Sequence, residues 1–294
     1  MSKELRSGYV AIAGAPNAGK STILNRLLGE KLSITSKKPQ TTRNRILGVV
    51  NKPTSQIIFL DTPGVHETTA KLNAKLVETA LSAIGDVDVI LLMIDVSSPD
   101  ISSEKFLIEK LKKQRKPVIL ALNKIDQVKK PVLLGCIENW SNAFDFKAII
   151  PVSAKHGDQV DELVEALEAL LPTGPPLFPD DVVTDLPERF FVAEMVREKV
   201  FRLTGQEIPY SVAVTVEQFT VKKGLAKIYA TIHVERDSQK GIVIGKKGVK
   251  LRQIGEDARK EIEKMLEMKV FLKLFVRVQK NWSRDTKAIR NFGV

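Results

Sequence analysis

Residues 9–28 read YVAIAGAPNAGKSTILNRLL, and this stretch decides the fold. Tyr9 to Ala13 is a short apolar run of strand type, and Lys20 to Leu28 carries apolar residues at helical spacing. Between them GAPNAGKS at 14–21 matches G-x-x-x-x-G-K-[ST]. Glycines in such a loop remove side-chain obstruction, so backbone N–H groups can encircle a phosphate. The following helix adds unpaired N–H groups and the positive end of its dipole. The candidate nucleotide contacts here are Gly14, Ala15, Pro16, Asn17, Ala18, Gly19, Lys20, Ser21 and Thr22. Lys20 is expected to reach the β- and γ-phosphates, and Ser21 to place its hydroxyl on Mg²⁺.

Outward from this loop, apolar runs of buried-strand length recur at 56–60 (QIIFL), 89–94 (VILLMI), 118–122 (VILAL) and 148–152 (AIIPV). The residue that follows each run is Asp61, Asp95, Asn123 and Ser153 in turn. Helical patterns lie between them, roughly at 70–84, 101–115, 130–142 and 158–170. Strands alternating with helices predict an α/β domain with a mostly parallel sheet. Its ligand groups should gather beyond the carboxyl ends of the strands.

The strand ends carry the chemistry. Asp61 opens DTPG; its carboxylate can hold magnesium through water, and Gly64 offers an N–H to the γ-phosphate. Thr42, in KPQTTRNR, can complete the metal shell only when a γ-phosphate is present, ordering the loop around Ser33 to Arg45 as a switch. Thr41 is the alternative. The candidate catalytic residues are therefore Lys20, Thr42 and Gly64, and the candidate metal set is Ser21, Thr42 and Asp61. NKID at 123–126 writes the base. The Asp126 carboxylate can accept from both the ring N–H and the exocyclic amine of guanine, a donor pair that adenine lacks. Asn123 braces the loop, and the Lys124 stem lies over the base. In SAK at 153–155 (Ser153, Ala154, Lys155) the Ala154 N–H can meet the guanine 6-oxo group.

A length of 294 residues suggests two domains at about 150 residues each. The single Cys136 excludes a disulfide framework, and three scattered histidines argue against a protein-only zinc site. Met1 to Ser7 has no signal-peptide core, and the longest apolar runs are too short for a bilayer. A soluble protein of the reducing cytoplasm is expected. The net charge of +11 is unevenly placed: from Ser238 to the end there are 15 basic and 6 acidic residues. That favours a polyanionic partner, nucleic acid or an anionic membrane.

Leu171 to Pro187 holds five prolines and no periodicity. It divides the chain into a nucleotide domain at 1–172, a linker at 173–187 and a second domain at 188–294. There the pattern is that of a smaller α+β domain: helix 188–203, strands 210–217 and 225–235, helix 247–266 and strand 269–278. Phe271 is expected to oppose its basic neighbours on that last strand. GKKG at 245–248 is a G-x-x-G turn. Gly245 and Gly248 let a sugar-phosphate chain pass close, and Lys246 and Lys247 supply charge without base preference. Ile242, Ile244, Leu251 and Ile254 either wall a groove for unstacked bases or belong to the core. Lys273, Arg277 and Lys280 can follow phosphates. Trp282 either stacks on a base or anchors the tail, and His156 and His233 have no partners by spacing.

Taken together, GAPNAGKST, TTRNR (41–45), DTPGVH (61–66), NKID and SAK resemble the bacterial Era family of GTPases. AEMVREKVF (193–201) and QEIPYS (206–211) look like that family's signature at the start of its second domain. The resemblance implies a Ras-like, Mg²⁺-dependent GTPase followed by a KH domain of the second topological type. It further implies binding to the 3′ end of 16S ribosomal RNA and a role in maturation of the small ribosomal subunit. A monomer is expected, with peripheral contact to the inner membrane as a secondary property. Val65 stands where Ras-like GTPases carry a water-orienting glutamine, so slow intrinsic turnover is expected, and His66 is nearby. Asn17 resembles the asparagine by which some related GTPases hold a potassium ion. Two other readings stay open: a GDP-holding RNA-binding scaffold without turnover, and a membrane-associated trafficking GTPase.

Overall fold

The structure is a computed structural model that describes residues 5–34, 42–65, 71–204, 208 and 212–292. Thr41 and His66 lie outside the described residues. The chain divides into two units, Met1–Asp185 and Leu186–Val294.

The first unit is a six-stranded sheet clothed by helices. Its elements in order are β1 (Arg6–Gly14), α1 (Lys20–Leu28), β2 (Ile46–Lys52), β3 (Ser55–Asp61), α2 (Lys71–Gly85), β4 (Val89–Asp95), α3 (Ile101–Leu111), β5 (Val118–Asn123), α4 (Lys130–Ser141), β6 (Ala148–Val152) and α5 (Val160–Leu170). The strand order is β2-β3-β1-β4-β5-β6. Every pairing is parallel except β2 with β3. Strands β3 and β4 are buried along their full length, which their uninterrupted apolar sequences require of strands covered on both faces. Asp100 caps α3 by accepting from the Ser103 N–H at 3.1 Å, and its own N–H donates to Glu104. The expected α/β architecture is present, with β2 as an addition. Its own run ILGVV at 46–50 is apolar, and it pairs along the antiparallel edge that β3 offers.

Residues 173–185, expected to link the units, belong instead to the first. Thr173 bridges Arg6, and the Ser7 hydroxyl donates to the Pro175 carbonyl. The Gln56 amide accepts from the Leu177 and Phe178 N–H groups and donates back to the Phe178 carbonyl. The Val49 N–H donates to the Val183 carbonyl at 2.8 Å. Prolines suit this segment because it bends, turns at 179–182 and is held by scattered side-chain and carbonyl contacts rather than by a ladder.

The second unit comprises α6 (Glu188–Leu203), β7 (Ala213–Lys222), β8 (Leu225–Val234), α7 (Asp237–Ile244), α8 (Val249–Leu266), β9 (Lys269–Val278) and a short α9 (Thr286–Asn291). Its sheet order is β7-β8-β9, antiparallel then parallel. The chain order α-β-β-α-α-β around GKKG is the expected KH arrangement of the second type. Strand β7 lies three residues later than its alternation predicted, and the first two predicted positions fall outside the described residues. A bulge between Val216 and Gln218 breaks the two-residue period that would have placed it. The short helix α7 was missed because Gly241 interrupts its pattern. Arg197 is fully buried and donates bidentately to Glu194, while Lys199 pairs with Glu261 of α8. The basic side chains of AEMVREKVF are thus engaged inside the fold.

Candidate nucleotide site and nucleic-acid interface

The loop 15–19 leaves β1 and enters α1 as predicted. Lys20 is buried, and its ammonium donates to the carbonyls of Gly14 at 3.0 Å and Ala15 at 2.8 Å. Burial lowers its pKa to about 8, against the opposing pull of Asp61. Asn17 stands exposed at the loop tip with φ 65°.

Ser21, Thr42 and Asp61 converge. The Ser21 hydroxyl donates to Asp61 Oδ2 at 2.8 Å and shares a 2.7 Å hydrogen bond with Thr42 Oγ1. Thr42 and Ser33 also donate to Oδ2, at 3.4 and 3.0 Å. Asp61 Oδ1 is buried with no hydrogen-bond partner among the described residues. Burial raises the Asp61 pKa, against Lys20 and the three hydroxyls. Two hydroxyls and a carboxylate oxygen left open form the hard-oxygen set that Mg²⁺ takes, so the residues fit the ion. No cluster of three or more His, Cys, Asp or Glu suited to a metal occurs among the described residues.

Gly64 lies against the phosphate loop, and the Val65 N–H donates to the Gly14 carbonyl at 3.1 Å. The Val65 side chain is fully buried among Ala11, Ala13 and Leu92. It is therefore a core residue and not one that faces the phosphates.

The base-recognition loops are held by side chains. Asn123 donates to the Ala18 carbonyl at 2.7 Å and accepts from the Ala154 N–H at 2.9 Å. The Ala154 N–H, expected to meet the guanine 6-oxo group, is held in place by Asn123. Lys124 adopts φ 67°, and its ammonium pairs with Asp95. Asp126 accepts from the Ser153 hydroxyl at 2.7 Å, with His156 Nε2 at 3.7 Å from its other oxygen. The Ser153 hydrogen bond is the main cause holding the Asp126 pKa below its usual range. His156 thus has a partner that spacing did not reveal. Lys155 is exposed.

Sequence reading missed three supports. Asp95 orients Lys124. Arg26 on α1 donates to the carbonyls of Ala154 at 2.7 Å and Lys155 at 2.5 Å. Asn25 pins Leu32 and Ser33 through both amide atoms. Asp95 carried a signal, since it ends a buried strand as Asp61 does.

In the second unit GKKG joins α7 to α8. Gly245 has φ 71° and ψ 173°, a region open to glycine alone, and a Cβ there would meet Lys250 Cβ at 2.7 Å. Lys246 and Lys247 are exposed, and Gly248 has φ 76°. Ile242 and Leu251 are half-buried against the core, Ile244 is half-buried beside the turn, and Ile254 is fully buried. Ile254 is therefore core. Lys273, Arg277 and Lys280 are exposed. Trp282 is fully buried and packs edge-on to Phe292 at 4.9 Å, so it anchors the tail. His233 bonds Thr215 Oγ1 at 2.8 Å and packs on Phe292. Phe271 does not oppose its basic neighbours; it shares their face, because residues two apart on a strand point the same way.

A family model described as 50S ribosome-binding GTPase matches residues 9–124, and a KH domain model matches 207–283. GTPase Era of Geotalea uraniireducens is 55% identical over 292 residues, covering 99% of this chain and 98% of that protein. GTPase Era of Geobacter metallireducens is 52% identical over 290 residues, covering 98% and 97%. A crystal structure of an Aquifex aeolicus Era variant bound to GDP·AlF₄⁻ superposes with TM-score 0.94 at 43% identity, covering 98% of this chain and 99% of that one. Era in complex with MgGDPNP and nucleotides 1506–1542 of 16S ribosomal RNA gives the same TM-score, identity and coverage. With the phosphate loop, the metal cluster, the NKID loop and the GKKG turn each in place, this chain belongs to the Era family of GTPases.

Proposed function

We propose that this chain hydrolyses GTP to GDP and phosphate, binds single-stranded RNA at the 3′ end of 16S ribosomal RNA, and assists maturation of the small ribosomal subunit. The observation that carries the reading is that one chain holds both a metal-ready hydroxyl–carboxylate cluster beside Lys20 and a glycine-framed basic turn. The kinship to Era proteins, one of them complexed with that RNA, supports it.

Asp126 would hold the guanine edge, and the loop 14–19 with Lys20 would cradle the phosphates. Ser21, Thr42 and Asp61 would hold Mg²⁺, which when bound neutralises charge on the phosphate oxygens. Gly64 would present its N–H to the γ-phosphate. Val65 can neither orient water nor accept its proton, so turnover by the chain alone is slow. Asn17 is the proposed seat for a potassium ion. A cytoplasmic monomer suits this role; contact of the basic tail with the inner face of the membrane is proposed as secondary. Among the described residues no helix is long and apolar enough to cross a membrane.

The buried Val65 favours one competing reading, a GDP-holding scaffold. Single-turnover measurement of GDP and phosphate from bound GTP separates the two: release of phosphate supports the enzyme, and intact GTP after many hours overturns it. For RNA, Lys246→Asp with Lys247→Asp should lower affinity for the 16S 3′-end RNA at least about tenfold and flatten its salt dependence. Aspartate tolerates the φ of 52° at position 247. Wild-type affinity in a folded double variant would move the RNA site away from the turn.

A further inference from the structure

Strand β9 reads KVFLKLFVRV and alternates without a break. Its even positions, Val270 to Val278, pack toward the helices and core. Its odd positions, Lys269, Phe271, Lys273, Phe275 and Arg277, are all exposed. Two phenylalanines 47% and 44% exposed on one strand face lie outside the core of this unit.

They are not isolated. Tyr229 of β8 lies 6.0 Å from the Phe271 ring, and Lys227 is the register partner of Phe271. The Lys273 ammonium sits 5.3 Å over the Phe275 ring, a cation–π arrangement. At the far end Phe292 packs on His233, the register partner of Arg277, and Arg277 itself stays exposed. An acid also reaches this face: Glu217 of β7 accepts from Thr231 at 2.6 Å.

We propose that this outward sheet face is a second seat for single-stranded RNA, on which bases stack against Phe271 and Phe275 while Lys227, Lys273 and Arg277 meet phosphates. The proposal rests on the RNA-binding reading above and adds to the GKKG turn a platform of different chemistry. Aromatic rings interleaved with cations on a sheet are what a sequence-tolerant strand binder presents. A protein interface core would instead be depleted of lysine. The two rings are four residues apart, about 13 Å along the strand, which suits splayed bases rather than a duplex.

The test uses the full chain and two RNAs, one of about four nucleotides that fills the GKKG turn and one of about a dozen that runs beyond it. Phe271→Ala with Phe275→Ala should weaken binding of the long RNA at least about tenfold and leave the short one unchanged. Phe271→Tyr with Phe275→Tyr should restore the long-RNA affinity. Phe275→Trp should be quenched by the long RNA only. Unchanged long-RNA affinity in the alanine variant, equal loss for both RNAs, or a shift in oligomeric state without an RNA defect would each overturn the platform. The reading beneath it fails separately: if the wild-type chain binds neither RNA, both fall.

Discussion

Gly64 lies so close to Pro16 that a Cβ at position 64 would fall 2.8 Å from both the Cα and the nitrogen of Pro16. The DTPG turn and the phosphate loop are therefore in backbone contact, and the Val65 to Gly14 hydrogen bond fastens them one residue further on. Glycine is needed here by proximity, since nothing flexible stands in the way to yield.

Gly64→Ala should push the turn off the phosphate loop. We expect single-turnover hydrolysis to fall about a hundredfold or more, the size of a lost preorganised donor, with GDP affinity changed less than about threefold. Hydrolysis at the wild-type rate would show that the turn takes no part in holding the γ-phosphate.

Asp126→Asn should weaken GTP binding by about a hundredfold or more, because an amide meets the guanine donor pair with a donor of its own. Xanthosine triphosphate should gain. Ser153→Ala should give a smaller loss in the same direction, since it removes the hydrogen bond that orients the Asp126 carboxylate. Calorimetry on the two variants with both nucleotides reads the result, and unchanged GTP affinity would remove Asp126 from the base site.

Lys20 gives a pH dependence with a definite sign. Burial holds its pKa at about 8, below the 10.5 of a free lysine, so above pH about 8 the empty site carries a neutral amine. A bound phosphate restores the charge, so binding takes up a proton there, and affinity falls by up to about tenfold per pH unit. Stability runs the opposite way: the burial penalty on the charged amine is full below about pH 8 and is relieved as pH rises toward 10.5. Titration calorimetry of GTP in two buffers of unlike ionisation enthalpy, at pH about 7 and 8.5, measures the uptake. A proton balance of zero at the higher pH would contradict it.

Potassium should speed hydrolysis relative to sodium at equal ionic strength if Asn17 seats the ion. Asn17 has φ 65°, so alanine there would add backbone strain, whereas Asn17→Gly keeps the conformation and removes only the amide. The glycine variant should lose the cation difference and keep GDP affinity. A difference that persists in it would reduce Asn17 to a residue that shapes the loop.

The parts of this protein legible in its sequence are those whose signals are local. Each nucleotide motif follows an apolar strand, and strand ends in a parallel sheet meet along one edge, so GAPNAGKS, DTPG, NKID and SAK could be assembled without coordinates. The supports were not legible, because Arg26 reaches carbonyls 128 and 129 residues away and Asp95 meets Lys124 across two strand ends. The same limit hid His156 beside Asp126. Strand β9 misled for the opposite reason. Its period was plain, but which face held the charges required counting Phe271 and Lys273 as same-side neighbours.

The segment 173–185 has a practical consequence. Strand β2 is an outer strand of its sheet, and the Val49 N–H and the Asn51 amide are both satisfied by this segment, at Val183 and Asp180. A truncated protein ending at Pro172 would look complete by composition yet expose a raw strand edge able to pair with another copy. It would also strip the buried Gln56 amide of its three contacts to Leu177 and Phe178. A fragment ending at Asp185 keeps the seam closed. The boundary between the two units is thus far shorter than its prolines advertise, and it falls in the few residues before Glu188.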